Sequence, residues 1–487
     1  MKLLKDILYR ARIVDVVGTT NVAIESIAID SRKLKTNGLF VAIPGTAVDG
    51  HQFIDAAIEQ GAVAVLCEQI PEQKDERVSY VSVRDVRKAL GEVAANFYDN
   101  PSEKITLVGV TGTNGKTTSV TLLYQLFSEL GYKTGLISTV ENKIGEKVIP
   151  STHTTPDPVT INHLLAEMVA NECTHCFMEV SSHAVVQGRI AGLVFDGGVF
   201  TNITHEHLDY HGTFNNYIAA KKQFFDELPK TAFALINADD SRGEVMVQNT
   251  ISKAFSFGLK GMRDFKAKVL ENQFTGLLLN INGSELYSKL IGSFNAYNLL
   301  GVYGVASLLG EDSLEILTKL SMLAPVDGRF QHMKSEQHVI GIVDYAHTPD
   351  ALKNVLQTIQ DIRTGNEQVI TVVGCGGDRD REKRPVMAKI ATSYSDRVVL
   401  TSDNPRSEEP GVIIEDMKAG IEPQDFKKYV STEDRREAIK MACAMAQPND
   451  IILIAGKGHE KYQEIKGEKL PFDDMEILNQ TLKMLEQ

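Results

Sequence analysis

The stretch Thr111-Gly112-Thr113-Asn114-Gly115-Lys116-Thr117-Thr118 decides how this chain reads. The apolar run before it, Ile105 to Val110, predicts a buried strand. After it Val120, Leu122, Leu123, Leu126, Phe127 and Leu130 recur at the spacing of one helix face. A strand, a glycine-rich turn and a helix N-terminus make a cradle of backbone N–H groups for phosphate oxygens. Lys116 would reach the terminal phosphates, and the Thr117 hydroxyl would ligate Mg²⁺. The strict GxxxxGK[ST] pattern wants glycine where Val110 stands, so the motif is a variant. It predicts chemistry driven by ATP or GTP.

Working outward, strands and helices alternate from Lys104 onward, the signature of a parallel α/β sheet. Strand-like runs are Gly135 to Val140, Phe177 to Val180, Gly197 to Ile203 and Phe233 to Asn237. A Gly/Asn-punctuated stretch near 258–292 predicts irregular β structure, and Gly292-Ser-Phe-Asn-Ala-Tyr-Asn starts another helix. The character changes at Ala324-Pro-Val-Asp-Gly-Arg329, which reads as a linker. A second α/β series follows, with strands Val339 to Asp344, Val369 to Gly374, Arg397 to Thr401 and Ile451 to Ala455. Each ends in a polar loop, and ligands of open α/β sheets sit at such carboxyl ends. Residues 1 to 100 alternate short β-like runs (Ser26 to Asp30, Leu39 to Ile43, Val63 to Cys67) with helical stretches.

Composition bounds the function. A length of 487 residues suggests about three domains. A hydrophobic content of 43% and a charged content of 24% are those of a core-burying globular chain. The formal net charge of −13 argues against a nucleic-acid partner or an anionic membrane surface. No apolar run approaches transmembrane length. The first ten residues lack an export-type apolar core, and five cysteines fit a reducing cytoplasm. Cys173 and Cys176 form a lone CxxC with no second pair, which reads as packing rather than zinc.

Several constellations carry chemistry. Glu179 closes an apolar strand before Ser181-Ser182-His183, placed to ligate nucleotide Mg²⁺ or polarise a water. The run Thr201 to Gly212 concentrates His205, His207 and His211 with Glu206 and Asp209. HEH lacks HExxH spacing, so a hard-cation site fits better than zinc. In Ala219-Ala220-Lys221-Lys222 nothing singles out one lysine over the other. The loop Gly374 to Arg381 has Arg379 where GxGxxG needs its last glycine, so it presents arginines as an anion clamp. Asp403-Asn404-Pro405-Arg406 pairs an acid with an arginine across a proline turn. That pair suits an amino acid's ammonium and carboxylate, or a self-satisfied surface turn. Gly456-Lys-Gly-His-Glu460 adds another acid at a strand end.

Thr111 to Thr118, Glu179-Val-Ser-Ser-His183, Asn202 to Gly212, Asp344-Tyr-Ala-His-Thr-Pro-Asp350 and the 374–381 loop together resemble the Mur ligases, in the same order along nearly the whole chain. The resemblance implies a cytoplasmic, monomeric, three-domain α/β ligase of peptidoglycan synthesis. An N-terminal α/β UDP-binding domain (1–100) and a C-terminal Rossmann-like α/β domain (329–487) would flank a central P-loop parallel-sheet ATPase domain (101–328). Its substrates would be ATP, UDP-N-acetylmuramoyl-L-alanyl-D-glutamate and meso-diaminopimelate, with Mg²⁺. Closure of the domains around them is expected.

By the same resemblance Gly112, Thr113, Asn114, Gly115, Lys116, Thr117 and Thr118 would bind ATP. Asn295 and Asn298 would lie near adenine, and Arg329, Asp344 and His347 near ribose and phosphates. Ile29, Ser31, Thr46, Ala47 and Val48 would hold the UDP end; His153, Thr154, Thr155, Ser181, Gln187 and Arg189 the muramoyl-dipeptide. His153 departs from the family's commoner asparagine, and Thr46-Ala47-Val48 also diverges. Lys221 matches a carbamylated lysine, a Mg²⁺ ligand beside Thr117, Glu179 and His207; Lys116, Glu179, His207 and Lys221 would form the catalytic set. Arg379, Asp403, Asn404, Pro405, Arg406, Gly456 and Glu460 would hold the incoming amino acid. Diaminopimelate-adding members resemble this chain in Asp-Asn-Pro-Arg, and the second carboxylate of diaminopimelate gives Arg406 a bidentate partner that lysine lacks. A folate-type ligase would share the later motifs and lack a domain like residues 1–100.

Overall fold

A computed structural model describes residues 1–45 and 48–485. The chain divides into two compact units: residues 1–202, 215–257 and 304–311 in the first, and residues 203–214, 258–303 and 312 onward in the second. Both are α/β.

Among the described residues the first unit carries a two-stranded pair, Lys2–Leu3 with Ala23–Ile24, and two larger sheets. In the N-terminal one, strands Ser26–Ala28, Gly38–Val41, Ala62–Cys67 and Ser79–Val83 run parallel, and Ile13–Val17 pairs antiparallel with the last at the edge. Gly38–Val41 and Ala62–Cys67 are buried on both faces, which explains their unbroken apolar runs, and Ser79–Val83 is buried too although it carries two serines. The larger sheet places Thr106–Thr111 between His175–Glu179 and Gly197–Phe200, all parallel. Thr134–Ile137 continues it on one side, and Phe233–Asn237 and Lys253–Gly258 on the other. The strand ahead of the glycine turn thus lies inside the sheet, and the helix Lys116–Glu129 follows it as the apolar spacing predicts. Phe224 and Phe195 press against Gly109, where a Cβ would meet their rings at 2.7 and 2.9 Å.

The second unit holds a six-stranded sheet. Its order is Gln331–Lys334, Ile340–Asp344, Ile451–Ala455, Val369–Cys375, Arg397–Ser402 and Tyr429–Ser431. All are parallel except the first. One face packs on helices Pro349–Ile362, Lys383–Tyr394 and Pro410–Lys418, the other on Arg435–Met445 and Asp474–Leu485. The stretch 258–292, expected to be irregular, contains a regular antiparallel meander: Phe265–Gln273, Gly276–Ile281 and Ser284–Ser288, with one register shift between Val269 and Glu271. Of its glycines and asparagines, Asn282 and Gly283 form the hairpin turn between the last two strands, whereas Asn272, Gly276 and Asn280 lie within strands. Asn282 (φ 51°) and Gly283 (φ 99°) supply the positive φ values that such a turn needs.

Arg435 and Asp474 begin the two helices on one face of this sheet, and neither side chain reaches solvent. The guanidinium donates to Asp474 Oδ1 at 2.9 Å and Oδ2 at 2.7 Å, and Nη2 also donates to Ala455 O at 3.1 Å. Removing one partner leaves a buried charge uncompensated. Asp474→Ala is therefore expected to cost about 3–5 kcal/mol, measured by urea unfolding, and Arg435→Met in the same chain to restore part of the loss.

Candidate active site

The glycine turn is clamped from the neighbouring strand. Gly197–Phe200 lies beside Thr106–Thr111, so Thr201 and Asn202 emerge next to the turn. Thr113 N–H donates to Asn202 O (2.8 Å) and Asn114 N–H to Asn202 Oδ1 (2.9 Å). Thr201 Oγ1 and Asn202 Nδ2 donate to Asn114 O at 2.6 and 3.1 Å. A Cβ on Gly112 would collide with Thr201 Oγ1. Gly115, at φ 86°, caps the helix in the left-handed region that favours glycine. Lys116 Nζ donates to Gly112 O at 2.9 Å and Thr113 O at 2.8 Å, holding the amine over the turn.

On the other flank, Glu179 sits in register with Val110 and is buried. Its Oε1 accepts the Thr117 hydroxyl at 2.9 Å and Thr139 N–H at 2.8 Å. Hydroxyl and carboxylate oxygens form a hard donor set, the chemistry that Mg²⁺ takes. A further network continues from Glu179. Thr155 Oγ1 donates to Glu179 O (2.8 Å), Ser181 N–H to Thr155 Oγ1 (3.1 Å), and Arg189 Nη1 to Thr155 O (2.6 Å). Arg189 also grips Gln187 Oε1 through Nε (2.9 Å) and Nη2 (2.7 Å), and Thr139 Oγ1 donates to Thr154 Oγ1 at 3.0 Å. Thr154, Thr155, Ser181, Gln187 and Arg189 thus share one network with Glu179. His153 stays outside it, its Nδ1 3.1 Å from Thr152 Oγ1.

Lys221 rather than Lys222 turns inward. It is buried on the helix Phe214–Asp226, donating to Gly112 O at 2.8 Å and lying 4.7 Å from the Tyr217 ring centroid. Lys222 pairs with Asp226. The histidine run belongs to the second unit. His205 stacks on Phe214 at 4.1 Å, His207 (φ 57°) lies 3.7 Å from Glu206 Oε1, and His211 is buried. Among the described residues no three His, Cys, Asp or Glu side chains gather into a metal-binding group. Cys173 and Cys176 are both buried and unbridged, and burial pushes both thiols up in pKa.

Ile29, Ser31 and Val48 follow the adjacent parallel strands Ser26–Ala28 and Gly38–Val41, so their turns leave one edge of the sheet. Ile29 and Val48 are exposed, and Ser31 is buried. Thr46 and Ala47 lie outside the described residues. Asp30 caps the turn and binds Arg32 bidentately (2.9 and 2.8 Å), which holds its carboxyl down at about 2.

Two groups form at the carboxyl edge of the six-stranded sheet. In the first, Asp344 Oδ2 accepts Phe330 N–H at 2.7 Å, and the Arg329 guanidinium lies 4.7 Å from the Tyr345 ring centroid. His347 Nδ1 contacts Tyr345 O at 2.8 Å, and Lys383 Nζ donates to His347 O at 2.9 Å. Burial lowers the His347 pKa and raises that of Asp344 to about 6. Asn298 Nδ2 donates to Asn295 Oδ1 (2.9 Å) within the helix Ser293–Leu308, whose Phe294 meets Phe330 with centroids 5.9 Å apart.

In the second group, Arg379 and Arg406 both pack on Gly376, where an added Cβ would lie 3.8 Å from Arg379 Cγ and 2.9 Å from Arg406 Nη1. Arg406 Nη1 donates to Gly377 O at 2.7 Å. Asn404 Nδ2 donates to Glu460 Oε2 at 2.8 Å, and Asp403 Oδ2 fills the space above Gly456. Glu408 accepts Asp378 N–H (2.7 Å) and two bonds from the buried Arg384 (2.8 and 3.1 Å), which hold its carboxyl down at about 2. That ties the arginine loop to the proline turn.

Thr201, Asn202, Tyr217, Thr139, Lys457 and Glu408 also belong to these networks, although no local sequence signal marks them. Tyr217 OH lies 3.1 Å from Thr113 Oγ1. Thr201 and Asn202 stood in a segment read for its histidines, and Lys457 in one read for its acid. Only strand order reveals which of these neighbours touch.

Known proteins resemble this chain along nearly its whole length. Residues 23–98 match the profile of the Mur ligase family catalytic domain, 110–306 the Mur ligase middle domain, and 328–458 the Mur ligase glutamate ligase domain. The chain is similar to the UDP-N-acetylmuramoyl-L-alanyl-D-glutamate--2,6-diaminopimelate ligase of Cytophaga hutchinsonii, 56% identical over 483 residues and 99% of each chain. It is 53% identical to the protein of the same name from Bacteroides fragilis, again over 99% of each. A solved structure of a UDP-N-acetylmuramoyl-L-alanyl-D-glutamate--2,6-diaminopimelate ligase superposes with a TM-score of 0.71 at 31% identity. It covers 100% of this chain and 99% of its own.

Asp344 generates a pH prediction. Its carboxyl rises from 3.8 to about 6 on folding because burial disfavours the charge. The stability linked to its neutral form is complete below about 3.8 and is lost as pH rises through about 6. Between pH 4 and 7 the wild type is expected to lose on the order of 2 kcal/mol relative to Asp344→Asn, read from urea midpoints.

Proposed function

This chain belongs to the Mur ligase family, and we propose that it joins meso-2,6-diaminopimelate to UDP-N-acetylmuramoyl-L-alanyl-D-glutamate using ATP, a step of peptidoglycan synthesis. One observation carries the choice of amino acid. A pocket presenting Arg379 and Arg406 beside the carboxylates of Asp403 and Glu460 offers both signs of charge to a substrate bearing two ammonium and two carboxylate groups. Its working place is the cytoplasm, where ATP and a UDP-sugar are supplied, and its working form the monomer. Among the described residues no helix is long and apolar enough to cross a membrane.

In the reaction, an oxygen of the D-glutamyl γ-carboxylate attacks the γ-phosphorus of ATP. The bond to the β-phosphate oxygen breaks, ADP leaves, and an acyl phosphate forms. The amine nitrogen of diaminopimelate then attacks the acyl carbon. The tetrahedral intermediate expels inorganic phosphate, the nitrogen loses a proton, and an amide remains. The chief barrier is repulsion between a carboxylate and a triphosphate.

With the N–H groups of Thr113 and Asn114 held by Asn202, it is the start of the helix Lys116–Glu129, with its backbone N–H groups and positive end, that would lower that barrier. Lys116, held over the turn by the carbonyls of Gly112 and Thr113, needs only to exchange those bonds for phosphate oxygens. Thr117 and Glu179 would hold Mg²⁺ through their hard oxygens; a ligand role for His207 rests on the family resemblance alone. When bound, the ion supplies positive charge that further offsets the repulsion. Lys221 is assigned as the carbamylated residue: its neutral amine would add carbon dioxide and release a proton, leaving Gly112 O.

The network of Thr154, Thr155, Ser181, Gln187 and Arg189 is assigned to the muramoyl-dipeptide, and Ile29, Ser31 and Val48 to the UDP end. Asn295, Asn298, Arg329, Asp344 and His347 are assigned to the nucleoside of ATP. The N-terminal five-stranded sheet is the feature that speaks against a folate-type ligase.

Phosphate release is expected with meso-diaminopimelate and to fall by about two orders of magnitude in kcat/KM with L-lysine or L-ornithine; a preference for lysine overturns the role of Arg406. Lys116→Ala is expected to slow ADP release by about 10²–10³-fold without shifting the unfolding midpoint, and normal turnover in that variant refutes the site.

A further inference from the structure

Lys457 is wholly buried, and the reaction above gives it no part. Its Nζ donates to Asn404 Oδ1 at 2.9 Å and to Glu460 Oε2 at 3.0 Å; Asp403 Oδ1 lies 3.8 Å away and the Tyr462 ring centroid 5.4 Å away. Asn404 Nδ2 donates to the same Glu460 Oε2 at 2.8 Å, closing a three-membered ring of hydrogen bonds. Glu464 N–H also donates to Asn404 Oδ1, at 2.9 Å. With Oδ1 taking two donors, the amide of Asn404 has one orientation, and its nitrogen must face Glu460.

The ring spans the width of one strand of the sheet. Asn404 follows the strand Arg397–Ser402, whereas Lys457 and Glu460 follow Ile451–Ala455. The strand Val369–Cys375 lies between these two, so the ring bridges over its end. Asp403 and Glu460 would repel one another there, and two further buried cations are already committed, Arg435 bidentately to Asp474 and Arg384 to Glu408. Among the described residues Lys457 is the cation in hydrogen-bond contact with Glu460, and both bonds to that carboxylate fall on Oε2, so that Oε1 is the oxygen left to meet a ligand.

We propose that Lys457 is a positioning residue for the incoming amino acid: it offsets the repulsion between Asp403 and Glu460 and fixes Asn404 and Glu460 in one arrangement, with Glu460 Oε1 turned to a substrate ammonium. This rests on the reading of the pocket as the amino-acid site. The same charge removed from the surface would matter little; here Lys457 is buried among two acids and an amide, where groups left without a partner are costly.

The test is steady-state kinetics of Lys457→Met and Lys457→Gln with each substrate varied in turn. KM for meso-diaminopimelate is expected to rise at least about tenfold in Lys457→Met, with kcat within about threefold and the KM values for ATP and the UDP-substrate unchanged. Lys457→Gln keeps a donor without the charge, and its KM is expected to fall between; it decides the matter if the methionine variant does not fold. An unchanged KM for diaminopimelate overturns the proposal, as does a parallel rise in all three KM values with loss of kcat. Absence of diaminopimelate-dependent phosphate release in the wild type would instead remove the reading of the pocket itself.

Discussion

At Gly112 the chain has no room for a side chain, and the phosphate turn owes its shape to that contact. Thr201 Oγ1 occupies the space a Cβ would need, with Asn202 O only 3.0 Å from the same point. The closeness follows from strand order: Thr106–Thr111 and Gly197–Phe200 are parallel neighbours, so the residues leaving both meet at one edge. Once they meet, Asn202 serves as a template, with its carbonyls accepting the N–H groups of Thr113 and Asn114. Those N–H groups would otherwise be orphaned at a buried turn. The turn then delivers the chain to Gly115 at the angle from which a helix can start, and the helix dipole and Lys116 face the same space.

The flank opposite Thr201 adds the charge. A buried carboxylate is costly unless it is hydrogen-bonded, and Glu179 takes the Thr117 hydroxyl and Thr139 N–H on one oxygen. Because its backbone carbonyl also takes Thr155, any substrate resting on Thr155, Ser181 or Arg189 is held by groups rigidly linked to the phosphate turn. Rigid support of this kind is what in-line attack on a phosphorus demands.

In the second unit the same carboxyl-edge logic acts through charge rather than close backbone approach. Arg406, Asp378 and Phe330 all have positive φ (50°, 53° and 45°), a conformation that L side chains rarely adopt. Such strain persists only where surroundings over-determine it. At Arg406 they do: its N–H donates to Glu464 O, Lys466 N–H donates to its carbonyl at 2.7 Å, and its guanidinium reaches Gly377 O. Ion pairs that would add little at a surface here orient loops, because Arg384, Arg435 and Lys457 have no water to turn to.

Much of this was legible in the residues. Alternating apolar runs predicted the parallel strands, and the runs Phe233 to Asn237 and Ile451 to Ala455 coincide with strands residue for residue, since unbroken burial ends where polar loops begin. The meander after residue 258 was not legible: glycine and asparagine mark a tight hairpin turn and a disordered loop alike. Nor was the choice of Lys221 over Lys222, because adjacent helical residues differ only in which one faces the core. The sequence by itself determined a phosphate-binding turn on an α/β scaffold, since local spacing and glycine chemistry depend on near neighbours in the chain. Only the tertiary structure decided that Thr201 and Asn202 shape that turn, that Glu179 answers Thr117, and that Lys457 joins Asn404 to Glu460. Thr201 and Asn202 with the turn, Glu179 with Thr117, and Asn404 with Lys457 and Glu460 are pairings that chain spacing leaves far apart and strand order brings together.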